Sequence, residues 1–341
     1  MTKKTLNNVL KLVKPIGLGL LIFIAVASVC LDWFALTYPQ EVITRLQPLV
    51  PAIKPVPIKM KGIAVIGDSQ SDEYRADDNR GDNYPSDTRN WVELLSQQRN
   101  VNFGKWGDWG ESRRTGYEYN WSRTGATTNS MLESGQHIGV ADQIRQGKVN
   151  VVIIFIGAND FAPYITPNGY DAIYYSKLSE PEKKSKINRI IADIKTAIYT
   201  FKDAGDVRIL LIKIPDWGNH PGVQVAYPFP DQRSQVSEVI NQTNTEIDKV
   251  AAEENLAALD PNDFYNNLPK NTDGKVVVDG VALERLLLNN NPLNFYLNDG
   301  VHTGTVVNGF LANAIIEKLN PMLSNPIHAL SEHEIRTAAG L

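Results

Sequence analysis

Three short apolar runs rich in β-branched residues, Ile63–Ile66, Val151–Ile156 and Val207–Ile214, restrict the folds open to this chain more than any other feature. They do not alternate with polar residues, so each has to be covered on both faces. That is the situation of a strand inside a parallel sheet, not of a sheet with one wet side. Helical patterns lie between and after them, at Asn90–Gln98, Thr128–Gln146, Pro181–Ala204 and Ser234–Glu254, and Leu256–Asp260 follows as a further strand. Strands alternating with helices predict an open α/β sheet covered on both faces. In such sheets the ligand crevice lies beyond the carboxyl ends of the strands. Polar groups stand at three of those ends: Ser69 after the first run, Asn159 after the second, and Asp216 with Trp217 after the third.

The bulk numbers set limits on partners and location. With 341 residues, 43% hydrophobic and 21% charged, the chain is long enough to bury one large core. A formal net charge of -4 supplies no broad basic field, so nucleic acid is not an expected partner. The single cysteine, Cys30, rules out an intrachain disulfide and a cysteine zinc site. Lys3, Lys4, Lys11 and Lys14 precede an uncharged apolar run, Ile16–Leu31. This pattern predicts an N-terminal signal-anchor or transmembrane segment over residues 1–38, with cleavage after Ala25-Val26-Ala27 as the alternative. The lysines keep that end in the cytoplasm, which places the remainder outside it, anchored to the membrane, or secreted if the segment is cut. Residues 39–60, with Pro48, Pro51, Pro55 and Pro57, read as an extended linker. The globular domain is expected over 61–320, and 321–341 form a C-terminal tail.

The chemistry-bearing residues sit where the fold rule puts a crevice. Gly67-Asp68-Ser69 at a strand-to-helix corner exposes the Ser69 hydroxyl and a backbone N–H. A serine hydroxyl needs an adjacent base. Asp299-Gly300-Val301-His302 offers one, because a carboxylate three residues ahead can hold one imidazole nitrogen while the other faces the serine. Asn159, in Gly157-Ala158-Asn159-Asp160, places an amide donor at a strand end, and Gly125 offers a backbone N–H where a side chain would obstruct a substrate. Taken singly, each of these is a turn or a helix cap. Together, at strand ends, they describe a serine nucleophile with its base and oxyanion donors.

With all four blocks in place, the chain resembles the SGNH hydrolase superfamily of GDSL-type esterases and lipases, over about Gly62 to Asn320. The resemblance makes Ser69 the nucleophile, His302 the base and Asp299 its orienting acid, with the Ser69 and Gly125 N–H groups and the Asn159 amide as oxyanion hole. It implies a three-layer α/β/α sandwich, flavodoxin-like, around a mainly parallel five-stranded sheet. It also implies hydrolysis of carboxylic esters through an acyl-enzyme without metal or cofactor. The first block reads Gly-Asp-Ser-Gln in place of the common Gly-Asp-Ser-Leu, which leaves the chemistry intact.

Substrate identity is open at this point: a small-molecule, lipid or glycan ester. Trp106 and Trp109, in an aromatic, Gly-rich insertion, either line the entrance or pack a satellite core, and Trp217 is a third candidate for substrate contact. His220 is expected to be structural or exposed, and His137, His328 and His333 receive no role. The acids between Asp72 and Asp87 are interspersed with Arg75 and Arg80, which favours a solvated loop over a calcium site, and Arg80-Gly81-Asp82 carries no motif function. An envelope O-acyltransferase using the same residues and a non-catalytic glycan- or lipid-binding protein are the rival readings. A nucleotide binder lacks its Gly-x-Gly-x-x-Gly.

Overall fold

The computed structural model describes residues 56–76, 80–111, 113–163, 169–286 and 289–341. The expected anchor over 1–38 and the linker up to residue 55 lie outside them. Among the described residues, no helix is long and apolar enough to cross a membrane.

In chain order the elements are β1 (Ile63–Gly67), α1 (Trp91–Arg99), the hairpin β2 (Trp106–Asp108) and β3 (Thr115–Tyr117), α2 (Thr128–Glu133), α3 (Gln136–Arg145) and β4 (Val151–Phe155). Next come α4 (Tyr170–Tyr174), α5 (Glu180–Ala204), β5 (Arg208–Ile212), α6 (Pro221–Ala226), α7 (Pro230–Glu253), β6 (Ala257–Leu259) and α8 (Pro261–Asn266). A small hairpin, β7 (Val277–Val278) and β8 (Val281–Ala282), precedes α9 (Thr305–Leu319) and α10 (Glu332–Ala338). The main sheet runs β1-β4-β5-β6, every pair parallel, with Ile63 opposite Val151 and Val151 opposite Arg208. Successive side chains on a strand face opposite ways. Ala64 and Ile66 therefore enter the core shared with α3, α5 and α7, while Ile63 and Val65 enter the core shared with α1, α9 and α10. This is the α/β/α sandwich that the unalternating runs require.

Among the described residues the sheet has four strands where five were expected. At the β1 edge, the Trp121 N–H donates to Val65 O (2.8 Å) and the Arg123 N–H to Gly67 O (3.0 Å), yet only one isolated bridge forms, Val65 with Asn120. The Asn120 side chain accounts for this: it accepts from the Ser122 N–H (3.0 Å) and donates to Ser71 O (2.8 Å), turning the chain locally. The segment covers the edge without extending the ladder. The single helix expected over 128–146 is likewise two helices, broken at Gly135, whose φ of +73° is left-handed.

Helix starts follow their caps. Asn90 and Glu93 exchange side-chain and backbone bonds at the head of α1 (3.1 and 2.9 Å), and Ser331 with Glu334 does the same for α10. That last helix folds residues 323–341 back onto the domain. Arg99 holds Glu334 through two nitrogens (2.9 and 2.7 Å), and Ile335 is fully buried against Gly309 of α9. A Cβ on Gly309 would lie 2.7 Å from Ile335 Cγ2, so glycine sets the approach of the two helices. Replacing Ile335 by Ala empties a closed site and is expected to lower unfolding free energy by about 2–5 kcal/mol in urea titrations; a change below about 0.5 kcal/mol would show that the tail's packing is immaterial.

One buried group stands out beneath the sheet's carboxyl end. Asp68 is wholly buried, its Oδ1 accepts the Gln70 N–H (2.9 Å), and its Oδ2 has no hydrogen-bond partner. Burial raises its carboxyl to about 7 against the opposing pull of that bond. The folded state therefore retains a proton that the unfolded chain has released by about pH 4, so this group's contribution to stability is full at acid pH and is lost as pH rises towards about 7. Burial also raises the Glu73 carboxyl, to about 8, which adds a decline of the same sign; Asp68→Asn should therefore reduce the fall in stability between pH 5 and pH 8 in urea titrations, and a variant with the parent's full fall would place the titrating group elsewhere.

Candidate active site

The crevice is built from loops that leave the carboxyl ends of β1 and β4, together with a turn ahead of α9. β1 closes on Gly67, where a Cβ would lie 2.6 Å from Phe155 O, so only glycine lets the two strand ends meet. The chain then turns sharply, with Asp68 O accepting from the Ser71 and Asp72 N–H groups (both 3.0 Å), and this corner presents Ser69. Gly157, at φ +112°, turns β4 into the short 3-10 turn Ala158–Asp160 that carries Asn159.

The acid–base turn is organised by Asp299. Its Oδ1 accepts the backbone N–H groups of Val301 (2.8 Å) and His302 (2.9 Å), and its Oδ2 lies 2.6 Å from His302 Nδ1. Gly300 holds φ +66° here, and a Cβ on it would meet Gly222 N at 2.7 Å. Burial alone would raise the Asp299 carboxyl, but the His302 imidazole and the two N–H donors hold it down at about 2. An ionised carboxylate only accepts, so His302 Nδ1 carries the proton and Nε2 is left to accept. The Ser69 hydroxyl is 2.8 Å from that Nε2. Serine, histidine and aspartate thus form one continuous relay.

Opposite the relay stand Gly125 and Asn159. Gly125 has φ +80° with open space beside its Cα. The Asn159 Nδ2 donates one hydrogen to Ala126 O (3.0 Å) and has a second to offer. Asp160 fastens the same loop, accepting from the Thr128 N–H (2.9 Å) and hydroxyl (3.1 Å); burial raises its carboxyl while those bonds and Lys186 oppose the rise.

Ser69, Gly125, Asn159, Asp299 and His302 all border one cavity of about 350 Å³. Trp217 borders it too, its Nε1 donating to Ala158 O (2.7 Å), and Ala162, Val223 and Ala226 supply further apolar wall. A wider groove of about 780 Å³ beside β6 has no serine, cysteine or histidine on its walls and offers no comparable chemistry. Among the described residues, no group of three or more His, Cys, Asp and Glu is placed to hold a metal ion.

Trp106 and Trp109 do not border the cavity. Trp106 lies in the β2–β3 hairpin, edge-on to Tyr117 and under Arg75, and Trp109 donates to Gly116 O (3.0 Å) and packs against Arg113. The two tryptophans thus sit on the hairpin away from the cavity, Trp106 exposed and Trp109 half-buried. Conversely, two residues without a sequence assignment to the site stand beside it. His220, buried between the rings of Trp217 and Tyr296, has Nδ1 3.0 Å from Val301 O. Burial lowers it to about 4, so the ring is neutral and braces the turn next to His302. Arg80 borders the cavity with Nη1 3.3 Å from His302 Nδ1 and 3.9 Å from Asp299 Oδ2. No local signal marks either residue, since their partners lie 81 and 222 positions away.

No curated protein sequence matches the chain. Solved structures similar to it include an acetyl xylan esterase from Geobacillus stearothermophilus, 16% identical with a TM-score of 0.39, covering 79% of this chain and 99% of that one. A phospholipase A1 from Streptomyces albidoflavus is 16% identical at TM-score 0.43, covering 76% and 99%, and an extracellular lipase from Streptomyces rimosus is 15% identical at 0.38, covering 76% and 99%. A sequence model of the family described as GDSL-like Lipase/Acylhydrolase matches residues 63–315, well over half of the chain. The chain belongs to the GDSL-like lipase/acylhydrolase family and is an ester-hydrolysing enzyme.

Proposed function

We propose that this protein hydrolyses carboxylic esters through an acyl-enzyme on Ser69. The observation that carries the reading is the relay itself, Ser69 Oγ to His302 Nε2 at 2.8 Å and His302 Nδ1 to Asp299 Oδ2 at 2.6 Å, opening on a cavity. His302 takes the hydroxyl proton as Ser69 attacks the carbonyl carbon, and Asp299 stabilises the imidazolium. The carbonyl oxygen becomes an oxyanion facing the Ser69 and Gly125 N–H groups and the second Asn159 amide hydrogen. Collapse expels the alcohol, which takes the proton from His302. A water molecule then repeats the attack on the acyl-enzyme, with His302 again as base, and frees the acid and Ser69.

The cavity's size and walls bear on the substrate. About 350 Å³ is near the lower end for ligand pockets, and Ala162, Val223, Ala226 and Trp217 line it with apolar surface. This supports an ester of a short acyl group, with the alcohol, lipid or glycan, left at the open mouth. The lysine-flanked run Ile16–Leu31 supports an extracytoplasmic position for the domain; protease added to cells with an opened outer envelope should degrade it, and full protection would exclude that position.

Release of p-nitrophenol from esters of increasing chain length should be fastest for the shortest acyl groups and should vanish in Ser69→Ala. An unchanged rate in that variant would remove Ser69 from the reaction, and serine-independent silence on every ester would favour transfer to a glycan hydroxyl or simple binding. Asn159→Ala should lower kcat by about 100-fold or more, the effect of losing one oxyanion donor, and a twofold loss would deny it that role. Asp299→Asn should lower kcat by about 10⁴-fold by disturbing the imidazole tautomer, with circular dichroism unchanged; retention of even a tenth of the rate would demote Asp299.

A further inference from the structure

Arg80 lies outside the four sequence blocks of the site, and its fold position gives it work. Its backbone is pinned on both sides, the N–H donating to Tyr74 O (2.9 Å) and the carbonyl accepting from Asn290 Nδ2 (2.8 Å). Its side chain is only 14% exposed. Nη2 donates to Thr124 Oγ1 (2.9 Å), and Asp72 Oδ2 in turn accepts both the Thr124 hydroxyl (2.9 Å) and the Thr124 N–H (2.7 Å). Thr124 directly precedes Gly125. Nη1, at the other side of the guanidinium, lies against the bond between His302 and Asp299. Because Nδ1–H is already given to Asp299, the 3.3 Å approach to His302 is an electrostatic contact, and the carboxylate 3.9 Å away is the group the cation attracts.

We propose that Arg80 is a positioning residue that ties the acid–base pair Asp299–His302 to the loop carrying Gly125, so that base and oxyanion donors keep one geometry. The inference rests on the esterase reading of the site. Ser69, Gly125 and the Asp299–His302 turn arrive on three separate loops, and small errors in their spacing are expensive in rate. A guanidinium hydrogen-bonded to Thr124 through Nη2 and set 3.9 Å from the Asp299 carboxylate through Nη1 spans two of those loops, a reach and shape that a compact ammonium does not reproduce.

The test uses the full chain and a p-nitrophenyl ester, with Ser69→Ala run alongside. Arg80→Met should lower kcat about tenfold or more, the scale of one charge-assisted contact, while KM stays within about twofold. Arg80→Lys keeps the charge but loses the fork and should recover only part of kcat. If Arg80→Met fails to fold, the lysine variant carries the test. In an Asp299→Asn background, Arg80→Met should cost less than about twofold, because the carboxylate it acts through is gone. Equal losses in both backgrounds, or wild-type kcat in Arg80→Lys, would overturn the assignment. Turnover that survives Ser69→Ala would instead overturn the esterase reading, and this inference with it.

Discussion

The parallel register between β1 and β4 is the constraint on which the remainder of the molecule depends. Ile63 to Gly67 pairs with Val151 to Phe155 residue for residue, so both strands end at the same level. Ser69 and Asn159 then leave the sheet side by side. A slip of one residue would turn Ile63 and Val65 to the wrong layer, reversing two apolar faces at once. Burial of both faces therefore enforces the alignment that brings a nucleophile next to an amide donor. The close contact of Gly67 with Phe155 O completes it, since any larger residue would push the corner carrying Ser69 away from β4.

Around that frame, the polar groups of the crevice are fixed from behind by others. Asp160 holds the start of α2 and with it the Gly125 loop, His220 braces Val301, and Asp299 closes its own turn through two N–H groups. Buried polar groups satisfied in this way cost little and lose their freedom to move, which suits a site whose donors have to be in place before reaction. The nucleophile corner is an exception: Asp68 Oδ2, Gln70 Nε2 and Ser71 Oγ are buried without a partner, and ionisation of Asp68 weakens it as pH rises towards about 7.

The sequence by itself determined the sheet's interior strands, the helices between them and the four blocks at Ser69, Gly125, Asn159 and His302. These are local matters: a run of β-branched residues reports its own burial, a cap reports a helix start, and Asp299 reaches His302 within one turn. Other features came from contacts between distant segments. Whether the edge beyond β1 became a fifth strand depended on where the Asn120 side chain found partners. Trp217 borders the cavity, whereas Trp106 and Trp109 are held in a hairpin by Arg75, Arg113 and Tyr117. Residues after Asn320, a mere tail in sequence, supply Ile335 to the core. Arg80 and His220 owe their place beside His302 to chain closure over hundreds or tens of residues, and no periodicity or spacing records such a meeting. Local pattern reports which residues must be buried or turned; only the packed sheet decides which of them meet.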